Sequence, residues 1–191
     1  MTEVALPLSS PTVARGLPEP LGVVTHGLFV RDLSGDLLVG PVSLDLPPGT
    51  LTILTGATPA GRYALACALT GRLPLDRLRA RGTVIVGGLS APPSIRNATT
   101  LAQSWRVPDA TTTIERRQLS LAWAATRHTG VVCLCPGLSG LTGADRLALL
   151  AAAAELRDRG VTLVVTAAGH DLTDAESTLA DATINLDEHR W

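Results

Sequence analysis

The chain is 191 residues long, 46% hydrophobic and 3% aromatic, with 16 basic against 17 acidic residues and a formal net charge of −1. That length suits one domain with a sizeable core. The near-neutral balance and the scarcity of aromatics exclude a broad phosphate-binding or base-stacking surface for nucleic acid. Every basic residue is arginine, so any chemistry that requires a lysine is excluded as well.

Residues 1–20 hold Pro7, Pro11, Pro18 and Pro20 among small and polar side chains and read as an extended, mobile tail. The folded domain is expected over 21–191. The first residues carry no basic segment followed by an apolar block, so no secretory signal is expected. The longest apolar run, 147–154, is mostly alanine and falls far short of the roughly 18 residues a spanning helix needs. A cytoplasmic protein with no direct membrane insertion is the expectation.

Two β-rich stretches, 28–33 and 42–46, lead into the turn Pro47-Pro48-Gly49, then a buried-type strand at 51–54, a glycine-bounded loop and a helix over 62–70. The second half repeats this alternation. Strands are expected at 84–86, 131–135, 161–166 and 182–186, and helices at 114–127, 144–159 and 172–179. Continuous apolar strands alternating with helices predict an α/β fold, a mainly parallel sheet with helices on both faces. Residues 89–109 are the least legible, because Pro92, Pro93 and Pro108 interrupt any period.

The three cysteines, Cys67, Cys133 and Cys135, are an odd number in apolar surroundings, which predicts a reducing compartment and no disulfide framework. Cys133 and Cys135 share one face of a strand. No cluster of further ligands accompanies them, so they read as a buried apolar pair and no metal site is expected.

Gly56-Ala57-Thr58-Pro59-Ala60-Gly61-Arg62-Tyr63 follows a strand and opens a helix, the context of the phosphate loop G-x-x-x-x-G-K-[ST]. Such a loop is an anion nest, in which backbone N–H groups and a helix N-terminus face the phosphates. Both bounding glycines are present. Where lysine would reach the phosphates stands Arg62, whose larger planar fork donates in other directions. Where a hydroxyl would hold Mg²⁺ stands Tyr63, and Pro59 removes a backbone donor. Each lost hydrogen bond to a charged group costs about 1.5–3 kcal/mol. An ordinary strand-to-helix turn is the competing reading.

The runs "VSLDLPPGTLTILTGATPAGRYALACALTGRLP" and "RGTVIVGG" resemble the start of an ATP-binding cassette (ABC-type) ATPase. "RRQLSLAWAATRHTGVVCLCPGLSGLTGADR", "RDRGVTLVV" and "LADATINLDEHR" resemble its second half, in the family's order. The resemblance implies a P-loop NTPase-like fold with an antiparallel β-rich N-terminal part. The interval from Gly61 to Cys135 is much shorter than in typical members, which implies a reduced helical subdomain and leaves no convincing glutamine loop.

Carried over residue by residue, the resemblance places Cys135 at the aspartate that holds Mg²⁺ and Pro136 at the glutamate that polarises water. A thiol is a soft ligand poorly suited to Mg²⁺, and proline has no acid–base group. Thr142 replaces an aspartate shortly afterwards, while Ser139, Gly140 and Leu141 match the family. The signature motif is replaced by Thr111-Thr112-Thr113-Ile114-Glu115, and Thr112 with Glu115 also reads as a capping box for the next helix. His170 lies near the family's switch histidine, although an ungapped alignment puts Ala168 there; an exposed loop histidine is the alternative.

Glu155, Arg157, Asp158 and Arg159 read as a solvated helix face. Asp171, Asp174 and Glu176 are carboxylates without a visible partner motif. Trp105, Trp123 and Trp191 are too dispersed for base stacking and suit cover at an interface. The expectation is a degenerate ABC-type ATPase domain that does not hydrolyse ATP and acts as a structural or regulatory subunit. Two alternatives remain: an ATP-binding subunit of an ABC transporter paired with a competent partner, and a sensor that binds ATP or ADP without hydrolysis. No catalytic residue, resident cofactor or Mg²⁺ is expected. The implied partner is a protein subunit, an ABC-type ATPase or a membrane protein complex, through which the chain would reach the membrane; a homodimer stays open.

Overall fold

A hairpin begins the folded part because apolar and polar side chains alternate along β1 (Val23–Asp32) and β2 (Leu37–Leu46), burying one face of each. The computed structural model describes residues 19–103, 112–127, 129–169 and 172–188. The remaining elements are β3 (Leu51–Thr55), α1 (Pro59–Leu69), β4 (Leu78–Val86), α2 (Pro92–Ala98), β5 (Thr99–Ala102), α3 (Thr113–Ala125), β6 (Val131–Leu134), α4 (Gly143–Arg157), β7 (Thr162–Thr166), α5 (Asp174–Leu179) and β8 (Ala182–Asn185).

β1 pairs antiparallel with both β2 and β4 in a three-stranded sheet. The other five strands form a parallel sheet in the order β5-β6-β7-β3-β8. β3, β6 and β7 are buried along their whole length, as continuous apolar runs require when both faces are covered. On one face, Leu54, Val131, Cys133 and Val164 meet α1 and the inner face of the antiparallel sheet. On the other, Ile53, Val132, Leu134 and Leu163 meet α3 and α4. Each fully buried leucine or isoleucine contributes about 1.5–3 kcal/mol. Among the described residues, no helix is long and apolar enough to cross a membrane.

β1 and β2 each begin five residues before the expected stretches, at Val23 and Leu37, and three further departures stand out. α1 starts at Pro59 rather than residue 62, β4 extends back to Leu78, and the illegible stretch contains α2 and β5. β5 is an edge strand, and Arg72 clamps its start: Nη1 donates to the Thr70 carbonyl and Thr99 Oγ1, and Nη2 to the Arg96 and Thr99 carbonyls. These contacts link residues far apart in sequence, which local periodicity does not register. The connection from β5 to α3 is confined to residues 103–112, consistent with a reduced helical subdomain.

Glu176, read from sequence as a carboxylate without a partner motif, is 1% exposed and paired with Arg146 of α4. Arg146 Nη2 donates to Oε2 at 3.0 Å, and the Thr173 N–H donates to the same oxygen in the capping box of α5. One carboxylate therefore starts α5 and docks it on α4. Glu176→Ala, which strands the Arg146 charge, is expected to lower stability by about 3 kcal/mol, read as a reduced urea midpoint with an unchanged slope.

Candidate functional site

The turn after β3 is left-handed, with φ of +71° at Gly56 and +54° at Ala57. Thr58 then caps α1, its Oγ1 accepting from the Gly61 N–H at 3.0 Å, and Pro59 occupies the first turn where its missing N–H costs little. Of the donors that an anion nest would offer, Pro59 has none, that of Gly61 is taken by Thr58, and that of Arg62 bonds the Thr58 carbonyl.

Both glycines are demanded by packing. A Cβ at Gly56 would lie 2.5 Å from Asn185 Oδ1 and 2.8 Å from Asp187 Oδ2, and one at Gly61 would lie 2.3 Å from the Leu38 carbonyl oxygen. The end of β8 thus sets a carboxylate against the loop. Its local geometry is fixed by the Asp187 N–H donating to Asn185 Oδ1 and Asn185 Nδ2 donating to Glu188 Oε1.

Arg62, 6% exposed, turns back beneath the loop. Its Nη1 donates to the carbonyls of Gly56 at 3.0 Å and Ala57 at 2.7 Å. The side chain at the lysine position therefore bonds the loop's own carbonyls. Tyr63 is half-buried, and its hydroxyl pKa is raised by burial and by hydrogen bonding with Cys67, with Gln103 acting in the opposite direction.

Gln103 is buried directly after β5, which pairs with β6 up to Ala102 and Leu134, the residue before Cys135. Sequence reasoning missed it. Its signal, a glutamine closing the short buried strand Thr99–Ala102, was obscured by the neighbouring prolines.

The Cys135 N–H donates to the Ala102 carbonyl, and its thiol is buried. Burial pushes the thiol pKa up, opposed by a hydrogen bond with Thr166 and by the charges of Arg62 and Arg117. Cys133 is likewise pushed up by burial. Pro136 follows, and the turn beyond it is held from α3 by Arg117, 4% exposed, whose Nη1 and Nη2 donate to the Gly137 and Ser139 carbonyls. Burial lowers the Arg117 pKa, while Coulombic interaction with Cys135 raises it. Neither Arg62 nor Arg117 pairs with a carboxylate among the described residues. Cys135 and Pro136 supply no hard oxygen side-chain ligand for Mg²⁺ and no carboxylate base. No group of three or more His, Cys, Asp or Glu able to hold a metal occurs among the described residues.

Thr112 caps α3: its Oγ1 accepts from the Glu115 N–H, and Glu115 Oε2 accepts from the Thr112 N–H. Thr113 is the first residue of that helix, and Thr142 caps α4 in the same manner by accepting from the Asp145 N–H. Thr111, His170, Asp171, Trp105 and Trp191, with residues 1–18 of the expected tail, lie outside the described residues.

No protein-family model matches the sequence, and no curated protein matches it. Among solved structures, the fold is similar to that of a nucleotide-free ATP-binding cassette from an ABC transporter, with a TM-score of 0.66 and 12% identity over 87% of each chain. At that identity the likeness shows the fold: a parallel sheet with an antiparallel N-terminal sheet, arranged as in an ABC cassette.

Two outcomes follow from the site's geometry. Arg62→Ala deletes a charge-assisted pair of bonds and leaves two loop carbonyls bare, so stability falls by roughly 2–4 kcal/mol in chemical denaturation. Burial holds the thiol pKa values of Cys133 and Cys135 above that of an unfolded thiol, about 8.5. The folded state then holds more protons, and stability falls as pH rises above that value. A series of unfolding midpoints across alkaline pH reads this directly, and a Cys133→Ser, Cys135→Ser double variant flattens it.

Proposed function

We propose that this ABC-cassette-like domain hydrolyses no ATP and serves as a structural or regulatory subunit of a larger assembly. The observation that carries the reading is Arg62, buried and bonded to the carbonyls of Gly56 and Ala57. A phosphate entering the loop would have to displace those bonds and approach the Asp187 carboxylate beside Gly56. Cys135 and Pro136 supply neither a Mg²⁺ ligand of suitable hardness nor a base, and loss of a positioned base alone costs a factor of roughly 10²–10⁴. Mg²⁺-ATP does not fit the residues at this loop, and no reaction step is assigned to it.

A second reading, nucleotide binding without hydrolysis, draws on the left-handed turn at Gly56 and Ala57, the backbone curvature from which anion nests are built. An ATP-binding subunit working with a competent partner ranks behind both, because the connection of residues 103–112 leaves little chain for ordinary coupling to a membrane subunit. The partner of this reading is a protein subunit, through which the domain would associate with a membrane.

Calorimetric titration of the pure chain with ATP, with and without Mg²⁺, tests the proposal alongside steady-state turnover. The expected result is no saturable heat up to millimolar ATP and phosphate release at background. Saturable binding replaces the first reading with the second, and turnover above background that Arg62→Ala abolishes overturns both.

A further inference from the structure

α3 leaves an apolar stripe in solvent. Leu119 and Trp123, at i and i+4, are 49% and 45% exposed. The Arg127 guanidinium lies over the Trp123 ring, 5.0 Å from its centre. The backbone N–H of Arg127 donates to the Ala124 carbonyl, while its guanidinium makes no hydrogen bond or ion pair with a described residue. An aromatic side chain stacked with an arginine on an exposed helix face is the composition that interface centres favour.

Next to the indole, a cavity of about 90 Å³ opens between α3 and β5, lined by Arg72, Thr100, Leu101, Gln103, Trp123 and Arg127. It holds the space of about three waters, given roughly 30 Å³ for each. That is room for one carboxylate group and too little for a nucleotide. Two of its six lining residues are cationic and none is acidic. Arg72 is fixed in place by its bonds to Thr70, Thr99 and Arg96. Its charge therefore stands at the wall without reorganisation. The exposed carboxylate of α3, Glu115, is engaged by the helix cap.

We infer that this surface receives an acidic segment of a protein partner. A carboxylate of the segment enters the cavity between Arg72 and Arg127, and a neighbouring apolar side chain covers Trp123 and Leu119. Charge complementarity selects an acidic occupant: the cavity offers the positive charges of Arg72 and Arg127, while the stripe supplies apolar contact area. The inference deepens the assembly reading, on which it rests for the existence of a partner, and it does not depend on the state of the phosphate loop.

The test uses the full chain and two fluorescently labelled synthetic peptides of equal length, one of glutamate and leucine, the other with every glutamate replaced by glutamine. Anisotropy titrations are expected to show the acidic peptide binding about tenfold or more tightly than its amide counterpart, with an affinity that falls as salt rises. Trp123→Ala and Arg127→Glu are each expected to weaken binding by about tenfold or more, with urea unfolding curves showing that both variants remain folded under the titration conditions. Equal affinity for the two peptides, absence of binding, or indifference to both variants overturns the inference. So does a dimer seen by light scattering that Trp123→Ala dissociates, since the stripe would then cover a second copy. Saturable ATP binding in the titration above would overturn the nucleotide-blind reading and leave the peptide result standing, so the two failures are distinguishable.

Discussion

A guanidinium held out of water must find acceptors, and Arg62 finds them in the carbonyls of Gly56 and Ala57. That requirement organises the end of β3. A buried charge without partners is strongly unfavourable, so the loop curls until its carbonyls face the arginine, and the left-handed conformations of Gly56 and Ala57 provide the curl. Thr58 can then cap α1, and α1 can begin with Pro59. The turn after β3 is thus closed around a cation of the same chain.

The end of β6 follows the same logic with a second arginine. Arg117 reaches from α3 to the Gly137 and Ser139 carbonyls, while Thr166 of β7 accepts from the Gly137 N–H and donates to the Leu134 carbonyl. Cys135 lies where the electrostatic influence of Arg62 and Arg117 overlaps, both opposing the rise in its thiol pKa that burial causes. The two strand ends are finished by internal hydrogen bonding. The assembly proposal is consistent with this.

Much of this was legible in sequence because its signals are local. The buried strands appear as uninterrupted apolar runs, the N-cap of α3 as Thr112 with Glu115 three residues on, and the loop as two glycines between a strand and a helix. What stayed hidden was non-local. Pro92 and Pro93 suggested a broken period, yet proline in the first turn starts α2, and β5 then depends on Arg72 for its edge. Gln103 acquires its place only when β5 lies beside β6. Glu176 looked unpartnered because Arg146 sits a whole strand and helix earlier. The arginine at the lysine position was visible at once, but its direction was not: nothing in the spacing tells whether a guanidinium faces a ligand or its own loop.

The most direct measurement of the central claim is the thermal unfolding midpoint with and without saturating Mg²⁺-ATP. A ligand bound only by the native state raises stability by about 2.7 kcal/mol at a hundredfold excess over its dissociation constant, an increment that shifts the midpoint of a domain this size by several degrees. With Arg62 closing the loop, the midpoint is predicted to be the same with nucleotide as without it. A concentration-dependent rise would contradict the account, because it would mean that phosphate displaces the guanidinium from the carbonyls on which the loop is built.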